Sequence, residues 1–315
     1  MAVFDQTAPS CLESRAAAII ARIGERVVGK SAQALRLLCA VLAGGHVLLE
    51  DVPGMGKTLL AKSLAEALGL RFARVQATAD LLPADVVGVH IYDPGRHAFD
   101  FRPGPVFAQL LLVDEINRAS PRAQSALLEG MEEGQVTVEG HGYPLPDPFT
   151  VLATQNPREH EGTFPLPLSQ LDRFLFRIRL DYPTPDEETE LLGRMAQSVR
   201  LPPLGAVTDP AGILAMRQEA FLVHAAPRVA AYTLALVRAT RAHPAILLGA
   251  SPRAGISLLR AARVWAFLHG RDHVLPDDVR ALAPDTLAHR LLCRDGDPLR
   301  LLAEVVDALP VAGGL

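Results

Sequence analysis

Apolar positions change their period along this chain. Between residues 14 and 43 they recur at helical spacing, as Ala17, Ile20, Ile23 and Val27 and then as Leu35, Leu38 and Leu42. Gly29 separates the two runs, and Gly44-Gly45 ends the second. Residues 46–50 (HVLLE) are a short apolar run of the kind a buried strand makes, and residues 57–68 return to helical spacing. Between them Pro53-Gly54 and Gly56 mark a tight loop. Residues 71–76 alternate, whereas residues 109–114, 149–154 and 174–180 are near-continuous apolar runs, the first ending in acid. Strands separated by helices predict a doubly wound α/β fold with a parallel five-stranded sheet.

Residues 181–188 hold two prolines among polar neighbours and read as a linker. Beyond them no strand pattern stands out. Residues 188–198, 228–242, 253–269 and 276–290 carry helical spacing. The expected organisation is an α/β core over residues 1–183, N-terminal helices included, and a smaller all-α domain over residues 184–315.

Composition sharpens this picture. A chain of 315 residues with 49% apolar and 21% charged residues has ample core material. The net charge is −4, which gives no basic excess for nucleic acid or an anionic membrane surface. Residues 190–315 hold 14 arginines and no lysine against 11 acids, so this part is basic and the rest acidic. Three cysteines with no C-x-x-C argue against a disulfide framework or a structural zinc. The first residues lack a basic start followed by an apolar run, and the most apolar stretch is interrupted by Arg36 and Gly44-Gly45-His46. The expectation is a soluble, cytoplasmic chain without a signal peptide or membrane segment.

The strongest chemical signal is Val52-Pro53-Gly54-Met55-Gly56-Lys57-Thr58-Leu59, set between a strand and a helix. Glycines let the backbone turn its N–H groups inward, and a helix N-terminus adds partial positive charge. Lys57 is expected to reach the outer phosphates and the Thr58 hydroxyl to ligate magnesium. A tight turn with a surface lysine is the bland alternative, but the strand-loop-helix setting argues against it. Lys57 is also one of only three lysines, in a chain that fills its other basic positions with arginine. The usual first glycine of the motif falls at position 51, which is Asp51 here.

A second signal is Asp114-Glu115, ending the apolar run 109–114. Asp114 suits the magnesium shell and Glu115 a general base for water. Asn156, ending the next strand, is placed to orient that water or is a turn residue before proline. Gln124 falls with Leu127, Leu128 and Met131 on a core-facing spacing, though it is open to facing a site. Arg173 is either an ion-pair partner of Asp172 or a residue projecting into a neighbouring subunit's nucleotide. Arg253, following Ser251-Pro252 at a helix start, opposes the helix dipole and hints at a nearby anion, unless it is a surface arginine. No H-E-x-x-H, nucleophile elbow or dinucleotide G-x-G-x-x-G is present.

Together these motifs resemble the MoxR family of AAA+ ATPases. The resemblance covers about residues 27–183, through the stretch from His46 to Thr58, Gly104-Pro105-Val106-Phe107, the stretch from Asp114 to Ala119, Gln124 to Glu129, Ala153 to Pro157, Glu161-Gly162 and Gln170 to Phe174. The C-terminal part is matched mainly through Ser251-Pro252-Arg253-Ala254. Asp51 is usual in this family. The resemblance implies ATP and Mg2+ as ligands, with Pro53 to Leu59 as Walker A and Asp114 and Glu115 as Walker B. Asn156 then corresponds to sensor 1, Arg173 to the arginine finger and Arg253 to sensor 2, while Val28 and Gly29 touch adenine through backbone atoms. It implies a lid for the helical part, a hexameric homo-oligomeric ring, and pore-facing inserts at residues 82–105 and 135–148. Its expected partners are a von Willebrand factor A domain protein and a client protein or complex, matured or remodelled by a chaperone-like ATPase. Metalloenzyme maturation is the case the resemblance suggests. The chain departs from the family pattern at Pro167-Leu168-Ser169, just ahead of Arg173.

Three other readings compete. A metal-chelatase motor subunit shares the motifs. A DNA-dependent motor fits the fold but not the charge, and no aromatic-basic stripe supports it. A scaffold that holds nucleotide without turning it over is opposed by intact Asp114, Glu115 and Arg173.

Overall fold

The computed structural model describes residues 11–50, 54–156, 162–196 and 203–310. Two helices, α1 (Cys11–Gly24) and α2 (Ser31–Leu42), lead into strand β1 (Val47–Glu50) and helix α3 (Lys57–Ala67). Strand β2 (Phe72–Gln76) and the short α4 (Pro83–Val87) precede an antiparallel hairpin, β3 (Gly88–Asp93) and β4 (Ala98–Pro103). Strand β5 (Leu110–Asp114) and helix α5 (Pro121–Glu133) precede a second hairpin, β6 (Gln135–Val138) and β7 (His141–Pro144). Strand β8 (Thr150–Gln155), the short α6 (Leu168–Leu171) and strand β9 (Phe176–Arg179) complete the α/β part.

The main sheet is five-stranded, in the order β2-β5-β8-β1-β9, with every pair parallel. Strands β1 and β5 are buried at every position, as strands covered on both faces must be. Because side chains alternate, each strand feeds two cores. Val47, Leu49, Leu110, Leu112, Phe176 and Ile178 face one, with α1, α2 and α3. Leu48, Leu111, Val113, Val151 and Ala153 face the other, with α4 and α5. The sheet thus presents its carboxyl edge to one end of the molecule, where a doubly wound fold takes its ligands.

The C-terminal part consists of α7 (Pro185–Ala196), α8 (Pro210–Leu222), α9 (Pro227–Ala242), α10 (Pro252–Leu268), α11 (Pro276–Leu287) and α12 (Pro298–Ala308). The first of the two cores continues into it through Ile213, Leu236, Leu258, Leu282 and Leu302. It is helical as expected, with one addition: β10 (Ile246–Leu248) pairs antiparallel with β11 (Leu292–Cys293). Strands of three and two residues are too short to show an alternation in sequence. Helices α8 and α12 lay outside the predicted set. The proline at 185 opens α7, with Asp186, Glu187 and Glu188 in its first turn, so the expected linker shrinks to residues 181–184.

Candidate active site

The loop between β1 and α3 is shaped by backbone rather than by space. Gly54 and Gly56 have φ of 91° and 80°. A Cβ at either would meet nothing within 4 Å, so it is the left-handed backbone that calls for glycine. Gly56 is the N-cap of α3, and Lys57 and Thr58 begin the helix. The first helical N–H groups therefore have no carbonyl partners within the helix and face the loop. Pro53, expected in this loop, lies outside the described residues.

A cavity of about 440 Å³ opens above the carboxyl ends of the strands. Lys57 and Thr58 line one side, and Asp114, Glu115, Thr154 and Asn156 the other. A second cavity, about 540 Å³, shares Gly54, Met55, Gly56 and Leu59 with it and continues to Val27, Val28, Tyr182 and Leu191. The first is polar at its strand ends and the second mainly apolar, a division that suits a phosphate chain and a flat base. Gly29 stands between Val28 and Lys30 of that lining without being part of it; its φ is 70°, and a Cβ there would collide with the Glu187 carboxyl group.

Strand register sets the acids side by side. Gln76 on β2 pairs with Asp114 on β5, and β8 follows on the other side of β5. Asp114 Oδ2 accepts from Arg74 Nε at 2.6 Å, and its Oδ1 accepts from the Thr154 hydroxyl at 3.4 Å. Glu115 has φ 57°, a left-handed backbone rare for a residue with a side chain. That turn aims its N–H at Thr154 Oγ1, 2.9 Å away, while Oε2 accepts from Gln76 at 3.2 Å and from Arg118 at 3.0 Å. Backbone strain of this kind, held by three partners, is common where a side chain is positioned for a task. No motif singles out Arg74 or Gln76, and Thr154 enters only within the stretch that leads to Asn156. Arg74 and Gln76 fall on one face of a strand that is next to β5, but only the strand order reveals that neighbour.

Arg173 and Arg253 are not among the residues lining either cavity. Asp172 is not the partner of Arg173: it lies 3.3 Å from Arg290 Nε instead. Arg173 turns to the C-terminal end of α5, donating from Nη1 to the Leu128 carbonyl at 2.6 Å and lying 2.9 Å from Glu132. Arg253 follows Ser251, whose hydroxyl accepts from the Ala254 N–H at 3.1 Å, and reaches the same Glu132 at 3.1 Å. Within the chain, this carboxylate is the anion that Arg253 meets at the helix start. Gln124 proves structural: its buried amide reaches the carbonyls of Ile116, Ala119 and Phe164.

Residues 46–176 match the profile of the ATPase family associated with various cellular activities (AAA), and residues 238–306 that of the AAA lid domain. The chain is 49% identical over 273 residues to the uncharacterized protein YeaC of Bacillus subtilis (strain 168), covering 87% of this chain and 85% of that one. It is 44% identical over 278 residues to chaperone MoxR1 of Mycobacterium tuberculosis (strain ATCC 25618 / H37Rv), covering 84% and 72%. The crystal structure of an ATPase candidate from Cytophaga hutchinsonii ATCC 33406 has the same fold, with TM-score 0.89, 38% identity and 95% of each chain covered.

Proposed function

Since this chain belongs to the MoxR family of AAA+ ATPases, we propose that it hydrolyses ATP in a homo-oligomeric ring and uses the motion to remodel a partner protein. The observation that carries this reading is the single cavity in which Lys57 and Thr58 face Asp114, Glu115 and Asn156. Residues 1–183 are taken as the nucleotide-binding core and residues 184–315 as the lid. The base of ATP fits the apolar cavity beside Val28, and the phosphates fit the loop and the N-terminus of α3. Lys57 binds the outer phosphates, Asn156 holds the attacking water, and Glu115 accepts its proton as oxygen adds to the γ-phosphorus. The bond that breaks runs from that phosphorus to the β–γ bridging oxygen, and ADP leaves with the electron pair.

Magnesium suits the donors present. The Thr58 hydroxyl and the Asp114 carboxylate are hard oxygen groups on one cavity; Thr58 would ligate the ion and Asp114 would accept from a water bound to it. When bound, the ion neutralises charge on the phosphates. Arg173 is assigned to a neighbouring subunit's nucleotide, which agrees with its absence from the lining of its own cavity; Arg253 is assigned to sensing nucleotide from the lid. A protein client is supported by the chaperone naming of the Mycobacterium relative, and a von Willebrand factor A domain protein is the partner proposed to deliver it. No helix among the described residues is long and apolar enough to cross a membrane. A cytoplasmic location and a hexamer are part of the same proposal.

The test is molecular mass in solution for Glu115→Gln, with and without ATP and magnesium. A hexamer-sized species that needs ATP supports the ring and the interface site together. A monomer at every concentration would remove the ring.

A further inference from the structure

Glu132 stands next to last in α5 and holds two arginines from distant parts of the chain. Its Oε2 is 2.9 Å from Arg173 Nη2, and its Oε1 is 3.1 Å from Arg253 Nη1. One carboxylate, one oxygen to each guanidinium, fixes the spacing between two side chains that share no element. Arg173 is held further by the Leu128 carbonyl and by the negative end of the α5 dipole.

Stability does not account for this arrangement. The Arg173, Arg253 and Glu132 side chains are 28%, 49% and 39% exposed, and ion pairs so wetted contribute little to folding. Charge does not account for it either. Arg290 stands behind the cluster on Asp172, so three guanidiniums meet two carboxylates and one positive charge is left over. Arg253 is close enough to Arg290 to disfavour its charge. An anion from outside the chain would complete the group, and the chain's own phosphate cavity does not reach it.

We propose that Glu132 is a positioning residue: it sets Arg173 and Arg253 side by side so that both meet the phosphates of a neighbouring copy of this chain as one unit. The inference rests on the ring reading above and adds to it a residue that touches neither nucleotide nor water. Orientation of this sort is worth a great deal when the group it orients must meet a developing charge, and a misplacement of about 1 Å can cost about 100-fold in rate.

Subunit mixing tests it. Arg173→Ala subunits keep Glu115 but lack the finger, and Glu115→Gln subunits keep both arginines but cannot hydrolyse. Adding Glu115→Gln subunits to Arg173→Ala subunits is expected to restore ATP turnover. Adding subunits that carry Glu115→Gln and Glu132→Ala together is expected to restore at least about tenfold less. Equal restoration by the two donors would overturn the role of Glu132 while leaving the shared site standing. No restoration by either donor would overturn the shared site, and the assignment of Glu132 with it. Binding of a fluorescent ATP analogue to Glu132→Ala is expected to match the unsubstituted protein, because its own loop is intact. A parallel loss of that binding would mark a general folding defect and overturn the assignment too.

Discussion

Lys57 has no substitute within the chain. The other two lysines are committed elsewhere: Lys30 is buried and donates to the Asp181 carbonyl, and Lys62 lies 3.9 Å from Glu66 one turn along α3. Removing Lys57 therefore removes the one flexible ammonium on the loop, whose contacts to phosphate are charge-assisted. Lys57→Ala is expected to weaken ATP binding by about 100-fold, the equivalent of about 3 kcal/mol. Titration with a fluorescent ATP analogue measures it, and an unchanged affinity would remove the phosphate-loop assignment. At this scale the sequence was informative where a motif names its own residues. Lys57, Thr58, Asp114, Glu115 and Asn156 meet at one cavity as their spacing implied. It was silent where a side chain's partner comes from another strand, as for Arg74, or from the far end of a helix, as for Glu132.

His46 shows how elements are joined. Its Nδ1 accepts from the Val151 N–H of β8 at 3.0 Å, and its Nε2–H donates to the Met131 carbonyl of α5 at 2.9 Å. Its own carbonyl accepts from the Leu175 N–H at 2.8 Å, at the entry to β9. Full burial pushes the imidazole down from about 6.5 to about 4, against a smaller upward pull from the Met131 carbonyl. The folded state then binds fewer protons than the unfolded one over that interval. Its contribution is present above about pH 6.5 and is lost as pH falls toward 4, a loss on the order of 3 kcal/mol. Urea midpoints at pH 7.5 and 4.5 are expected to differ by less in His46→Gln than in the parent. Identical differences would clear His46 of the effect. The same scale explains what the pattern revealed of the fold. Apolar runs mark β1, β5, β8 and β9, and alternation marks the edge strand β2, so all five strands of the sheet are legible in the sequence. Helix α8 scatters its apolar residues around its circumference, and a helix without a clear stripe gives no period to find.

Across the whole molecule, one junction binds the C-terminal helices to the strand side. Arg290 is 6% exposed, lies 3.3 Å from Asp172, and donates to the Phe174 carbonyl at 2.7 Å. Burial lowers its guanidinium to about 10, and Asp172 opposes that fall. Asp172→Ala would leave this buried charge without its counter-ion. The expected loss of folding free energy is about 3 kcal/mol, read from denaturant midpoints. A change under about 0.5 kcal/mol would mean that the pair is not what holds the junction. His289 grips the same Phe174 carbonyl at 3.0 Å, so the residue after Arg173 hangs from two side chains of the turn that follows α11. A tether of this kind acts as a crank: when α11 swings, the neighbouring Arg173 must travel with it. On the proposed ring reading, movement of one subunit's C-terminal part would then reach its neighbour's nucleotide through Arg173.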